Sequence, residues 1–360
     1  MSLTALPNDC LLACLARVPY VDLRNGLPST CKSLRDAVAS SAFRKTREAA
    51  GYVEVAVFAR ERSSNRAKHY LIQASAAYRT VMGPPPGNGG FGDMLRLSSG
   101  RGDEVVIIQD YPVFRADAYH PLQNRWRELA PLDCTTRPGP WIHSTGDGVT
   151  YGALGSTFMV IGGDRDRTLP FDVYDSSQDA WSRRPDLPFE GAHGGYAKAV
   201  EVDGKLWLYA VDGRLQETFV YDPATQTWTL GPRLPHELYS EYGTHWHFTA
   251  FELRKRFCLM GLFQLTPEHR QYLALIWDPI RGAWDEAPFP VPPYIAIHSE
   301  SVDNHLIMSG NVNYPSDNDF GWRNTPHLFV LRPGSRDWGE WSIPESLRSG
   351  GMPLTTVRLG

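Results

Sequence analysis

YHPLQNRW at Tyr119–Trp126, YDSSQDAW at Tyr174–Trp181, YDPATQTW at Tyr221–Trp228, WDPIRGAW at Trp277–Trp284 and LRPGSRDW at Leu331–Trp338 are versions of one phrase. Each opens on an aromatic or aliphatic residue, usually continues with Asp-Pro or a variant, and reaches Trp seven positions on. Successive copies start 55, 47, 56 and 54 residues apart. A degenerate sixth copy, LIQASAAY at Leu71–Tyr78, starts 48 residues before the first and has Tyr in place of Trp. The flanks repeat as well. Each phrase leads into a short strand and a Pro-rich turn (ELAPL, RRPDLP, TLGPRLP, DEAPFPVP). Before it come two apolar runs joined by a tight turn, as in AVEVDGKLWLYAVDG (199–213), AFELRKRFCLMG (250–261) and SESVDNHLIMSG (299–310).

Asp203-Gly204 and Asp303-Asn304 accept the positive φ of a two-residue hairpin turn, and the alignment puts Arg254-Lys255 at the same place. LRKR is therefore read as a hairpin tip rather than a basic binding patch. Each copy supplies four strands, and a period near 50 is that of kelch-type propeller blades. A blade cannot bury both of its apolar faces alone, so the ring has to close. The first copy has a strand at VEVAVFA (53–59) but nothing to supply its innermost strand, while the chain ends in an orphan run, MPLTTVRL (352–359). The expected fold is mainly β, a six-bladed kelch β-propeller over residues 51–360, with the C-terminal strand closing blade one.

Composition agrees. The 360 residues are 42% apolar and include 11 Trp, 32 Gly and 28 Pro, which fits many short strands and tight turns. The net charge of −4 argues against a protein held to nucleic acid by phosphate contacts. No apolar run approaches the ~18 residues of a membrane span, and CLLACLARVPYV (10–21), broken by Arg17 and without a basic leader, does not read as a signal peptide. Five cysteines at irregular spacings match no zinc motif and point to reduced thiols in cytosol or nucleus.

Residues 1–50 differ in kind, with seven basic and four acidic side chains, leaving −7 for the remainder. They read as three short helices. Pro7 sits at an early helical position, and Leu11, Leu15 and Val18 form one stripe that Leu12 widens before Pro19 ends the helix. CKSLRDAV then leads through Phe43 to a last helix ending at Gly51. So small a unit has a marginal core, and an exposed Leu stripe on it calls for a covering partner; the alternative is that the stripe packs on blade one.

LPNDCLLACLARVP, then Leu27, Cys31-Lys32 and Phe43-Arg44, resemble the F-box, and FRKTREAAGYVEVAVFA is similar to the junction of plant-type F-box/kelch proteins. The resemblance covers about residues 4–50 for the F-box and 52–360 for the kelch array. It implies a substrate receptor of an SCF-type (cullin-RING) ubiquitin ligase, with the F-box on the Skp-type adaptor and the propeller holding the protein to be ubiquitinated. Such a receptor needs no cofactor, metal or catalytic residue of its own. It works by proximity. By this resemblance Leu6, Pro7, Leu11, Leu12, Leu15, Val18, Pro19, Leu27 and Lys32 form the adaptor face. A kelch-propeller enzyme or small-ligand binder is the alternative.

Four innermost strands begin near a histidine: His143, His193, His247 and His298. A ring of imidazoles can bind metal, but no Asp/Glu cluster accompanies these, and kelch histidines at this point commonly satisfy backbone groups. Trp141, Trp246 and Tyr294 lie in loops on the same rim, and the long segment 310–327 adds Trp322 and Arg323, aromatic and Arg content of the kind found at interface centres. This rim is the expected docking face for a protein target. The opposite rim, made mostly of short hairpin turns, is expected to offer little apolar area. The repeated Trp126, Trp181, Trp228, Trp284 and Trp338 are read as inter-blade core.

Overall fold

The computed structural model describes residues 6–19, 22–23, 31–38, 40–52, 54–60, 69–73, 78–81, 94–99, 102–109, 115–121, 125–132, 150–162, 169–188, 196–212, 215–235, 248–266, 269–289, 295–302, 305–311, 326–341, 343, 347 and 354–359. Three helices, α1 (Asn8–Leu15), α2 (Lys32–Val38) and α3 (Ser41–Ala49), precede six antiparallel four-stranded blades.

From innermost to outermost strand, blade 2 is Met94–Ser99, Gly102–Gln109, Arg115–His120 and Arg125–Glu128. Blade 3 is Thr150–Leu154, Thr157–Ile161, Leu169–Asp175 and Ala180–Leu187; blade 4 is Tyr196–Val202, Lys205–Asp212, Leu215–Asp222 and Thr227–Leu230. Blade 5 is Thr249–Leu253, Arg256–Thr266, His269–Asp278 and Ala283–Glu286; blade 6 is Ile295–Val302, His305–Asn311, Pro326–Leu331 and Trp338–Trp341. Blade 1 has two origins. Glu54–Arg60, His69–Gln73 and Tyr78–Val81 are its outer three strands, and Leu354–Leu359 is its innermost, running from Glu54↔Leu359 to Ala59↔Leu354. Each innermost strand touches the next, and that of blade 6 returns to Leu354–Leu359. The ring is closed, with the expected blade count and latch.

Strand alternation lets one strand serve two interfaces. Val57 and Ala59 pack with Val302, Ile307, Leu328 and Val330 of blade 6, whereas Ala56 and Phe58 pack with Val105, Ile107 and Tyr119 of blade 2. The same scheme continues around the ring, so the core is six inter-blade clusters rather than a centre.

The recurrent phrase is the hairpin between third and outermost strands. Its first residue faces its Trp across the hairpin in every full copy: Tyr119↔Trp126, Tyr174↔Trp181, Tyr221↔Trp228, Trp277↔Trp284 and Leu331↔Trp338. The aromatic pairs have ring centroids 4.8 to 5.6 Å apart. Each Trp packs into an inter-blade cluster, as read from the repeat. The indole N–H of Trp181 donates to the Ala130 carbonyl of blade 2 at 2.7 Å, and that of Trp284 to the Arg233 carbonyl beyond the outermost strand of blade 4 at 2.9 Å. These two Trp thus clamp the Pro-rich turn of the preceding blade, whereas the buried indole nitrogen of Trp228 has no such acceptor.

The Asp of the phrase caps the hairpin. Asp175, Asp222 and Asp278 accept through Oδ1 from the backbone N–H two residues on, at 2.8 to 2.9 Å. Hydrogen bonds from Ser177 to Asp175, from Lys205 to Asp222 and from Arg281 to Asp278 hold all three carboxyls below the usual carboxylate range. The degenerate copy departs from the pattern: Leu71 pairs with Arg79 and Tyr78 with Ile72, so Tyr78 does not occupy the position of the repeated Trp.

The hairpin turns between first and second strands have the expected geometry. Asp203 and Gly204 lie at φ 49° and 74°, Arg254 and Lys255 at 52° and 60°. The last pair holds a left-handed conformation without glycine, which side chains tolerate poorly. Asp303-Asn304 lies outside the described residues.

Ring closure through the last strand yields a direct expectation. Removing residues 352–360 bares one edge of Glu54–Arg60 and the flanks of blades 6 and 2, so the truncated chain should aggregate or melt at a much lower temperature. Size-exclusion chromatography and a thermal melt check this; a monomer with an unchanged melting temperature would contradict closure by this strand.

Candidate functional site

The channel mouth on the first-to-second hairpin rim is built by register. Glu201 and Glu252 each stand two residues before a hairpin turn, at Asp203-Gly204 and Arg254-Lys255, on the innermost strands of blades 4 and 5. Glu201 accepts from the Gly155 N–H of blade 3 at 3.0 Å. Glu252 accepts from the N–H of Lys255 in its own turn and, at 3.0 Å, from the Ser301 hydroxyl of blade 6. Further along the wall the hydroxyls of Thr249 and Ser299 bond to each other, and Ser299 also donates to the Ala250 carbonyl at 3.3 Å. A ladder of polar side chains therefore links innermost strands that share no backbone pairing.

These strands enclose a cavity of about 530 Å³. Glu201, Asp203, Glu252 and Glu300 face it alongside one ammonium, Lys255, whose Nζ lies 3.4 Å from Asp203. The mouth is acidic and its field favours cations. Its Glu201 and Glu252 carboxylates are already engaged by backbone and hydroxyl donors. Among the described residues no group of three or more His, Cys, Asp or Glu side chains is placed to hold a metal ion. This rim, expected to offer little apolar area, carries a sizeable cavity whose lining is largely polar. The signal was present in the sequence as Glu at one offset in VEVDG and FELRK, a pattern that reads as solvated surface until the ring places the two carboxylates side by side.

Of the residues expected on the other rim, His298 lies within the innermost strand of blade 6, its backbone opposite Ser309. Trp141, His143, His193, Trp246, His247, Tyr294, Trp322 and Arg323 lie outside the described residues, so the ring of imidazoles does too.

The helical unit differs from the expected exposed stripe. Leu11, Leu12 and Leu15 are buried, at 7%, 4% and 4% exposure, in a cluster with Ala16, Leu23, Leu34, Val38 and Phe43, and Leu6 and Val18 pack partly against it. The stripe is this unit's own core, neither open to solvent nor laid on blade one. Three short helices bury their apolar residues against one another. Pro7, Pro19 and Lys32 are exposed, as are Cys10, Cys14 and Arg17 along the outer face of α1; Leu27 lies outside the described residues. Cys31 is half-buried and Cys258 fully buried, where burial first of all pushes its thiol pKa up.

Comparison with known proteins identifies the helical unit. Residues 3–46 match the F-box domain family. No curated protein sequence matches the chain. Similar solved structures include a mutant Aleuria aurantia lectin in complex with alpha-methyl-L-fucoside, at 10% identity and TM-score 0.47, covering 81% of this chain and 94% of the lectin. A puromycin hydrolase mutant complexed with PGG is 13% identical at TM-score 0.46, covering 81% of this chain and 52% of that one. No helix among the described residues is long and apolar enough to cross a membrane.

The polar ladder at the mouth predicts a measurable loss. Glu252→Ala leaves the Lys255 N–H and the Ser301 hydroxyl without this acceptor and should lower stability by about 1–3 kcal/mol. Chemical denaturation reads this directly, and an unchanged midpoint would show that the ladder holds nothing together.

Proposed function

We propose that this chain is the substrate receptor of an SCF-type cullin-RING ubiquitin ligase: the F-box docks on a Skp-type adaptor and the propeller holds the target protein. The observation that carries the reading is the F-box match at residues 3–46 joined directly to a closed six-bladed propeller. An adaptor-docking module has its use on a chain that brings something to the adaptor, and a closed ring is a rigid platform for loops that do so. The receptor itself performs no chemistry and needs no cofactor. It raises the effective concentration of target lysines beside the charged conjugating enzyme, in cytosol or nucleus. The period, the Trp phrase and the junction with blade 1 support assigning the blades to the kelch type and the whole to plant-type F-box/kelch proteins.

The adaptor face is proposed on the exposed tip and outer side of the helical unit, with Pro7, Pro19 and Lys32 at its centre and the half-buried Leu6 and Val18 at its edge. Leu11, Leu12 and Leu15 support this face from within. Two sets of variants separate these roles. Leu11→Asp with Leu15→Asp places unpaired carboxylates in the helical core, at a cost of several kcal/mol, and should lose helical structure and adaptor together. Pro7→Asp with Lys32→Glu should keep the helices and lose the adaptor. Co-purification with a Skp-type adaptor, alongside circular dichroism, decides. An intact chain that never retains the adaptor removes the receptor reading, and adaptor retained by the Pro7/Lys32 variant moves the face elsewhere.

The target is proposed to dock on the rim carrying Trp141, His143, His193, Trp246, His247, Tyr294, His298, Trp322 and Arg323. With a target identified by proximity labelling under proteasome inhibition, Trp322→Ala and Arg323→Ala should each weaken capture by about 1–3 kcal/mol and leave adaptor binding unchanged. Loss of capture on changing Lys255 or Glu201 instead would assign the target to the acidic mouth.

A further inference from the structure

The joint between helices and propeller is short and heavily determined. Helix α3 ends in a turn in which the Gly51 N–H bonds the Glu48 carbonyl and the Tyr52 N–H bonds the Arg47 carbonyl, both within 3.0 Å, with Gly51 at φ 70°. This is a glycine-based C-terminal cap that turns the chain at once toward the strand at Glu54. On the last turn of α3 stands Arg47, only 1% exposed. Its Nη1 donates to the Val18 carbonyl at 2.7 Å, just past the end of α1, and its Nε to the Tyr52 carbonyl at 3.0 Å. Its Nη2 donates to Glu54 Oε1 at 3.0 Å, and the second oxygen of that carboxylate accepts from Gln73 Nε2, also at 3.0 Å. Glu54 opens the second strand of blade 1 and Gln73 closes the third. The guanidinium carbon also lies 5.8 Å from the centre of the Phe43 ring, inside the helical core.

One planar group therefore ties the far end of α1, the end of α3 and two strands of blade 1. A guanidinium fork can address three acceptors in fixed directions, which an ammonium cannot. Being buried, it is also costly to separate from its partners, because breaking the pair strands a charge and two carbonyls. A Gly/Ser linker at this point would leave the units to reorient freely.

We infer that Arg47 is a positioning residue, which fixes the angle between the F-box helices and the propeller so that a bound target is presented to the ligase along one direction. The locked joint stands on geometry alone; its consequence for ubiquitin transfer rests on the receptor reading.

The test uses the full chain, spin-labelled at Cys14 on the outer face of α1 and at Ser177→Cys on an exposed turn of blade 3, with other accessible cysteines replaced by Ser. The native joint should give one narrow distance distribution between the labels. Arg47→Met should broaden it, Glu54→Ala should broaden it while leaving the helices folded, and Arg47→Lys, which keeps charge without the fork, should fall between. If Arg47→Met loses its helical signal, Glu54→Ala carries the test. A distribution as narrow as the native one in every folded variant overturns the inference. A second arm fuses a lysine-bearing peptide after Gly360 as surrogate target in a reconstituted complex of adaptor, cullin, RING protein and charged conjugating enzyme. Glu54→Ala should bind adaptor as the native chain does, yet lose the native preference among the fused lysines and transfer ubiquitin several-fold more slowly. Native lysine preference and rate in that variant overturn the functional consequence. Failure of the native chain to bind adaptor instead removes the receptor reading and leaves the distance result standing.

Discussion

Everything in the propeller depends on the pairing of Leu354–Leu359 with Glu54–Arg60. A blade has two apolar faces, and only a closed ring covers both on every blade. Phe58 is buried because blade 2 stands against it, and Val57 because blade 6 does. The first needs only the next blade along the chain, but the second holds only when blade 6, some 250 residues further on, meets blade 1. The core is therefore non-local throughout, and closure has to be secured by strand pairing before the inter-blade clusters are complete. Thr355 and Thr356, fully buried on that last strand, show how far inside the ring the latch lies.

Within this constraint the repeat assigns each residue one physical task. Trp181 and Trp284 reach back to the preceding blade's carbonyls, so the indole sets the spacing between blades and not only their burial. The Asp of the phrase satisfies backbone donors in its own hairpin. These tasks are visible in the residues themselves, which is why the four-stranded blade, the ring and the two-residue turns are legible in the sequence. Asp203-Gly204 announces its backbone; Arg254-Lys255 does so only by alignment, since neither residue favours positive φ.

What escaped reading did so for a common reason. Periodicity shows that Leu11, Leu12 and Leu15 share a face, but not what covers that face. Short helices with so few apolar residues spend them on one another, and the side they turn outward is polar and thiol-bearing. Glu201 and Glu252 look like solvated strand residues in any one copy. Their meaning arises from the ring, which sets them beside donors some fifty residues away, Gly155 and Ser301. Tyr78 misled in the opposite way: seven-residue spacing survived in the degenerate copy while the pairing register moved by one. Spacing reports the ancestral phrase, and register reports the present hairpin.

The two ends of the channel are held by different means. On the hairpin rim the turns are two residues long and their carboxylates are spent on neighbouring blades, so a substitution there disturbs the contacts between innermost strands. On the other rim the connections into the innermost strands carry Leu132, Leu234, Phe248 and Phe289 into the inter-blade clusters. The ring is therefore held at both ends by side chains that cross between blades, the Glu ladder at one mouth and these apolar anchors at the other. A substitution at either end is felt between blades rather than within one.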